Sequence, residues 1–255
     1  MFDPHKPSLK RRIKDGSGIG AFWLALGNVT LVETAVAAGA EAIVIDMQHG
    51  LFDRASLEAA IGCVPAEIPC LVRTADDAPA SIGTALDAGA EGVIVPLVES
   101  GKQAAAAASA AHFPPKGIRS GGGIRPLRDF GAYLSAAPDA ITVGMMIETK
   151  KGVVNATAIA KAKNVDFVFI GTGDLALSLG TSPGSAAHAR ACASILKTCR
   201  KAGTPCGTFS FGGESAATKL AEGYSLTIVH NDVSAMTDAF EAEAAAFRKV
   251  RSSNI

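Results

Sequence analysis

The sequence has no apolar run approaching the ~20 residues that a membrane-spanning helix needs. Its start, Met1 to Asp15, is polar and basic, without the apolar stretch of a targeting signal. Both absences point to a soluble, cytoplasmic protein. There is no excess of either charge, with 24 Lys+Arg against 24 Asp+Glu, and the one basic run is the short Lys10-Arg11-Arg12. Neither nucleic acid nor an anionic membrane surface is therefore an expected partner. Cysteine is sparse and badly arranged for cross-linking: Cys63, Cys70, Cys192, Cys199 and Cys206 make an odd number, show no CxxC spacing and mostly fall inside apolar runs. That excludes a disulfide frame or a thiolate zinc site and leaves reduced thiols.

What is present is enough apolar material for a large core: 255 residues, 48% of them hydrophobic. Such a length suits one α/β barrel domain spanning residues 1–255. Short β-rich runs alternate with longer Ala-rich amphipathic segments, the pattern of repeated βα units around a parallel sheet. The runs predict eight strands at Ile19–Leu24, Ala42–Ile45, Pro69–Val72, Gly92–Val95, Thr142–Ile147, Phe167–Ile170, Pro205–Thr208 and Ser225–Val229. Helices are expected between and after them, at Thr30–Ala38, Ser56–Cys63, Pro79–Ala88, Lys102–Ala111, Gly152–Ala162, Ala186–Ala202, Glu214–Ala221 and Ser234–Val250. The fold class is thus a (β/α)8 barrel.

Gly39, Gly89, Gly203 and Gly223 each stand shortly before a strand, where a glycine ends the preceding helix. They mark the quiet rim of the barrel. The connections that leave strands are odder, notably Gln48-His49-Gly50, Arg73 to Pro79, and Gly171-Thr172-Gly173-Asp174, and chemistry in such barrels sits there. One excursion, Phe113 to Pro126, carries three consecutive glycines, Gly121 to Gly123, followed by a short helical stretch near Asp129–Ala136. It suits a flap closing over a ligand; the plainer alternative is a surface excursion.

Two groups of residues carry chemistry. Glu148 and Asp174 each follow a predicted strand about one βα unit apart, so they end adjacent strands and can face one another. Paired carboxylates without His or Cys at ligand spacing favour a hard cation such as Mg²⁺, Mn²⁺ or Co²⁺. Helix caps, or an acid/base carboxylate pair, are the other readings of the same residues. The second group is Asp46, His49 and Arg73, after the second and third strands. A histidine beside a carboxylate serves as a base near neutral pH, and a guanidinium stabilises charge developing on oxygen. Asp87 reads as a solvated residue or a C-terminal cap partner. His5, His112, His188 and His230 show no partner by spacing.

The ordered set Val44-Ile-Asp-Met-Gln-His-Gly50, Val72-Arg-Thr, Val93-Ile-Val-Pro-Leu-Val98, Pro114-Pro-Lys-Gly-Ile-Arg119, Met146-Ile-Glu-Thr149 and Phe169-Ile-Gly-Thr-Gly-Asp-Leu175 resembles the HpcH/HpaI family, class II metal-dependent 2-oxo acid aldolases. The resemblance runs from about Leu9 to Asp232. It implies a (β/α)8 barrel of the phosphoenolpyruvate/pyruvate-binding type, with Glu148 and Asp174 as ligands of a divalent metal ion. It makes Arg73 the group at the keto oxygen, His49 the base, acting through water, and Asp87 the orienting partner of His49. Gly173 and the backbone of Asp174 would hold the substrate carboxylate, and Trp23 would border the mouth. The substrates implied are a 2-oxo acid and an aldehyde. The last helix, with Met236, Phe240, Phe247 and Val250 on an apolar side, is expected to be exchanged between subunits of a homohexamer built as three dimers.

The chain departs from many such relatives at Gln48, where they have Glu, and at Met146, where they have Gln. No lysine lies in any predicted strand, so a Schiff-base mechanism has no buried amine to use. The alternatives are a citrate-synthase-like, citrate-lyase-like or decarboxylating enzyme working through the same enolate, for which the glycine flap would enlarge the site, and a ligand-binding barrel without turnover.

Overall fold

The computed structural model describes residues 8–253; His5 and the rest of residues 1–7 lie outside it. In chain order the elements are α1 (Leu9–Lys14), β1 (Ile19–Leu24), α2 (Val29–Ala37), β2 (Ala42–Asp46), α3 (Arg54–Cys63), β3 (Cys70–Arg73), α4 (Pro79–Asp87), β4 (Gly92–Val95) and α5 (Gly101–Ala111). After a 3-10 turn at Pro126–Asp129 come α6 (Phe130–Ala140), β5 (Thr142–Ile147), α7 (Lys150–Val154), α8 (Ala156–Ala160), β6 (Phe167–Ile170), α9 (Thr172–Leu179) and α10 (Ala186–Ala202). The chain ends with β7 (Cys206–Thr208), α11 (Gly213–Ala221), β8 (Leu226–Asn231) and α12 (Asp232–Ser253). Every strand is parallel to its neighbours and β8 closes on β1, forming the eight-stranded barrel that the sequence predicts.

Strands buried on both faces read as continuous apolar runs, which is why alternation was weak in the sequence. The structure recovers the alternation as two cores. Ile19, Ala21 and Trp23 of β1, Ala42 and Val44 of β2, Leu71 of β3, Met146 of β5, and Phe167 and Phe169 of β6 fill the barrel. Their neighbours Ile43, Ile45, Val72, Val93, Val143, Met145 and Ile147 face the helical layer. Two-residue periodicity carries the inward phase of β2, β3 and β5 on to Asp46, Arg73 and Glu148. Position 144 is inward on β5 and takes glycine because a Cβ there would stand 2.3 Å from the ring of Phe167.

The quiet rim is closed by α1, which the sequence did not predict as a helix. Ser8 caps it, and Leu9 and Ile13 insert into the barrel core, 0% and 2% exposed. Lys10 pairs with Asp166 at 3.0 Å, and the Leu9 amide donates to Glu91. Gly39, Gly89, Gly203 and Gly223 all have positive φ at this rim, as helix-ending glycines should.

The glycine-rich excursion follows a helix and leads into β5 through α6, so it lies at this same rim. Arg119 donates to Asp87 and to Tyr133, both at 2.8 Å, and Arg125 donates to the carbonyl of Glu58 in α3. The expectation of a flap over the mouth of its own barrel is therefore corrected. The other differences are local: one expected helix is split into α7 and α8 at Asn155, and the Gly171–Asp174 connection opens directly into α9.

Helix α12, which follows β8, leaves part of the outer face of β1 and β8 uncovered. Asp232 anchors its start by accepting from the Ala25 and Leu26 amides at 2.9 and 2.8 Å, but Phe240, Phe247 and Val250 are exposed. A groove of about 300 Å³ is left between α2 and α11, floored by Gly20, Phe22, Thr227 and Val229 on the outer faces of β1 and β8.

Candidate active site

At the mouth, β2 and β3 end on paired residues: Asp46 and Arg73 are register partners. Arg73 Nε donates to Asp46 Oδ1 at 2.8 Å and Nη2 donates to Oδ2, a two-point clamp between buried side chains. The indole N–H of Trp23 donates to the same carboxylate at 3.3 Å, and the Arg73 guanidinium lies 4.9 Å from the centre of the Trp23 ring. Asp46 Oδ1 also accepts from the backbone N–H of Gln48 at 2.9 Å and of His49 at 3.3 Å. Burial alone would raise this carboxyl; the hydrogen bond and charge of Arg73, with the two amides, hold it below the ordinary range. Asp46 thus fixes the guanidinium and shapes the turn that presents His49, whose side chain is exposed.

Glu148 follows β5 and is 1% exposed. Its Oε1 accepts from the Leu97 amide at 2.7 Å, and Leu97 holds a left-handed backbone, φ 54°. Leucine pays for that conformation, so the turn after β4 is held in shape by what surrounds it. Burial raises the Glu148 carboxyl to about 7; the Leu97 amide and Arg73 oppose the rise, while the charge and hydrogen bonding of Asp174 add to it. Arg73, Glu148 and Asp174 therefore share one electrostatic neighbourhood, and the two groups of residues form a single site. Asp174 lies in the first turn of α9, where no side-chain cap is made, so the helix-cap reading is set aside. Gly171 is required: a Cβ there would stand 2.4 Å from Glu148 Oε2.

Among the described residues no three His, Cys, Asp or Glu side chains gather as a complete metal cage. The donor set still fits a hard divalent cation. Glu148 and Asp174 supply two carboxylates that repel one another in a buried mouth, a conflict that a cation removes, and the remaining positions of an octahedron stay free for water or substrate. Beside them, the first hydrogen bond of α9 is Leu175 N–H to the Gly171 carbonyl, so the amides of Thr172, Gly173 and Asp174 precede the helical ladder. Gly173 is exposed, and a side chain there would meet nothing within 4 Å.

Asp87 is not brought to this site. It ends α4 at the opposite rim, with its carboxylate on Arg119, and the chain gives it no path to His49 of the same molecule. Sequence reasoning grouped Asp46 with His49 and Arg73 as the carboxylate beside the histidine; in the structure that carboxylate clamps Arg73 and meets His49 only through its backbone amide. Sequence reasoning missed the Leu97 amide and Gly171, whose parts depend on contacts between strands.

A family profile described as HpcH/HpaI aldolase/citrate lyase matches residues 20–239. The chain is similar to a 4-hydroxy-2-oxovalerate aldolase of Rhodococcus jostii, 34% identical over 95% of this chain and 96% of that one. It is 36% identical to a hydroxypyruvate/pyruvate aldolase of Rhizorhabdus wittichii, over 86% of this chain and 90% of that one. Among solved structures it is similar to an HpcH/HpaI aldolase/citrate lyase family protein from Burkholderia cenocepacia, with TM-score 0.87, 30% identity, and coverage of 96% of this chain and all of that one. The chain is an enzyme of the lyase class, and the barrel, the ordered motifs and these likenesses make it a member of the HpcH/HpaI aldolase/citrate lyase family.

Proposed function

We propose that the protein is a class II aldolase that joins C3 of a 2-oxo acid such as pyruvate or hydroxypyruvate to an aldehyde, and catalyses the reverse cleavage. The observation that carries this reading is the convergence, in one barrel mouth, of a clamped guanidinium with buried Glu148 and half-buried Asp174. Glu148 and Asp174 would hold Mg²⁺, Mn²⁺ or Co²⁺, which when bound supplies Lewis-acid polarisation of the 2-oxo acid. Arg73 donates to the keto oxygen and stabilises the charge that gathers there. The amides at Gly173 and Asp174 hold the substrate carboxylate, and Trp23 closes the side of the site. His49 takes the C3 proton. The carbon so released forms the new bond to the aldehyde carbon, whose C=O electron pair moves to its oxygen and takes up a proton.

In its own chain Asp87 is at the far rim, so its orienting of His49 requires a neighbouring subunit whose rim faces this mouth. The exposed apolar side of α12 and the groove between α2 and α11 support an exchanged helix, and three such dimers would make a hexamer. A cytoplasmic location accords with five free thiols and with the lack, among the described residues, of a helix long and apolar enough to cross a membrane. The citrate-synthase-like alternative loses the flap that favoured it.

Incubation with Mn²⁺, pyruvate or hydroxypyruvate and a panel of aldehydes tests the proposal. Condensation is expected, EDTA should abolish it, and borohydride with pyruvate should leave the enzyme active. His49→Ala should slow pyruvate C3 proton exchange by about 10²–10⁴-fold, and Asp87→Asn by less. Inactivation by borohydride with a pyruvyl adduct on Lys150 or Lys151 would overturn the metal mechanism.

A further inference from the structure

From the depth of the barrel to solvent, four aromatic rings follow one another on one side of the mouth. Phe169, fully buried, lies 5.9 Å from Trp23; Trp23 meets Phe209 edge-on at 5.5 Å; Phe209 lies 5.2 Å from Phe211. Phe211 is 65% exposed. Unlike the other exposed apolar side chains, Phe211 continues a ring series that leads down to Arg73 through the Trp23 ring.

The loop carrying the two outer rings is also held still. Ser210 donates to the Ile228 carbonyl at 2.6 Å, and the Gly212 amide donates to the Val229 carbonyl at 2.9 Å, so the Phe209–Phe211 turn is tied to β8 at its middle and just after it. Those bonds consume the Ser210 hydroxyl, and Thr208 Oγ1 faces the Phe209 carbonyl. Both residues are also buried, Thr208 2% and Ser210 4% exposed, so this turn presents its rings and not its hydroxyls to a ligand. Leu51 and Leu97, exposed on the turns after β2 and β4, add apolar surface to the rim.

We infer that Phe209 and Phe211 form the acceptor wall of the site, on which the tail of the aldehyde lies while its carbonyl reaches the nucleophilic carbon, and that the preferred aldehydes carry a flat apolar tail. This rests on the aldolase reading above and names its second substrate class. Offset and edge-to-face ring contacts would give the binding, and a rigid wall loses little freedom on engaging it.

Two measurements test it, one of them without turnover. Trp23 is the sole tryptophan, so its fluorescence reports on the wall. Titration with 2-phenylethanol, an unreactive stand-in for the aldehyde, should give a saturable change that ethanol does not, and Phe211→Ala should weaken it about fivefold. In condensation with pyruvate, the ratio of kcat/KM for phenylacetaldehyde over acetaldehyde should exceed one and fall about fivefold in Phe211→Ala, with Phe211→Leu between. A general loss of activity would not move that ratio. If the fluorescence titration is flat, or the ratio is the same in wild type and Phe211→Ala, the wall is not an acceptor site. If the titration behaves as expected but no aldehyde condenses, the aldolase reading fails and the aromatic binding site stands.

Discussion

Glu148 is the residue on which the chemistry of the mouth turns. Buried and beside Asp174, its carboxyl titrates near 7 in the folded protein against an ordinary 4.5. Between those values the folded state holds a proton that the unfolded chain has released, so this group's contribution to stability falls as pH rises through that window. A divalent cation needs the ionised form, and it relieves the same repulsion. Thermal-shift measurements should therefore show a larger stabilisation by Mn²⁺ at about pH 8 than at about pH 6. An equal or smaller shift at the higher pH would remove Glu148 from the metal site. Glu148 and Asp174 were legible as a pair from their places after adjacent strands. Asp46 was visible as a residue but not as the clamp of Arg73, because its partner is 27 residues away and meets it only through strand register.

At the scale of elements, the least conspicuous one in the sequence has a large effect. The segment of α1 reads as a polar basic run, yet its two apolar residues plug the open end of the barrel. Six residues would not hold a helix in water; packing of Leu9 and Ile13 and the bonds to Glu91 and Asp166 hold it there. Leu9→Ala should cost about 3 kcal/mol of unfolding free energy, seen as a lower midpoint in urea, while the mouth at the other end keeps its activity. A loss below about 1 kcal/mol would mean that α1 rests on the barrel without supporting it. The glycine excursion teaches the complementary lesson. Its composition suggested a mobile lid, but its topology, after a helix and before a strand, already placed it at the rim away from the chemistry.

For the whole molecule, an open groove lies over β1 and β8, and one side of α12 leaves Phe240, Phe247 and Val250 exposed. In the proposed exchanged-helix dimer, another copy's α12 covers those strands. Light scattering at micromolar concentration should give a mass several times the 25.9 kDa of one chain, and the double variant Phe240→Asp, Phe247→Asp should lower it. A monomeric wild type would defeat the exchanged-helix assembly. By itself the sequence determined the barrel, its eight strands and the carboxylates and guanidinium at its mouth, because hydrophobic runs, helix-ending glycines and βα spacing are local properties of a chain. Only the tertiary structure decided that Asp46 holds Arg73, that Asp87 faces away from His49, that α1 closes the barrel and that Phe209 and Phe211 line its lip. Each of these is a contact between residues far apart in sequence, set by strand register and by which rim a connection occupies, and neither is written in any single segment.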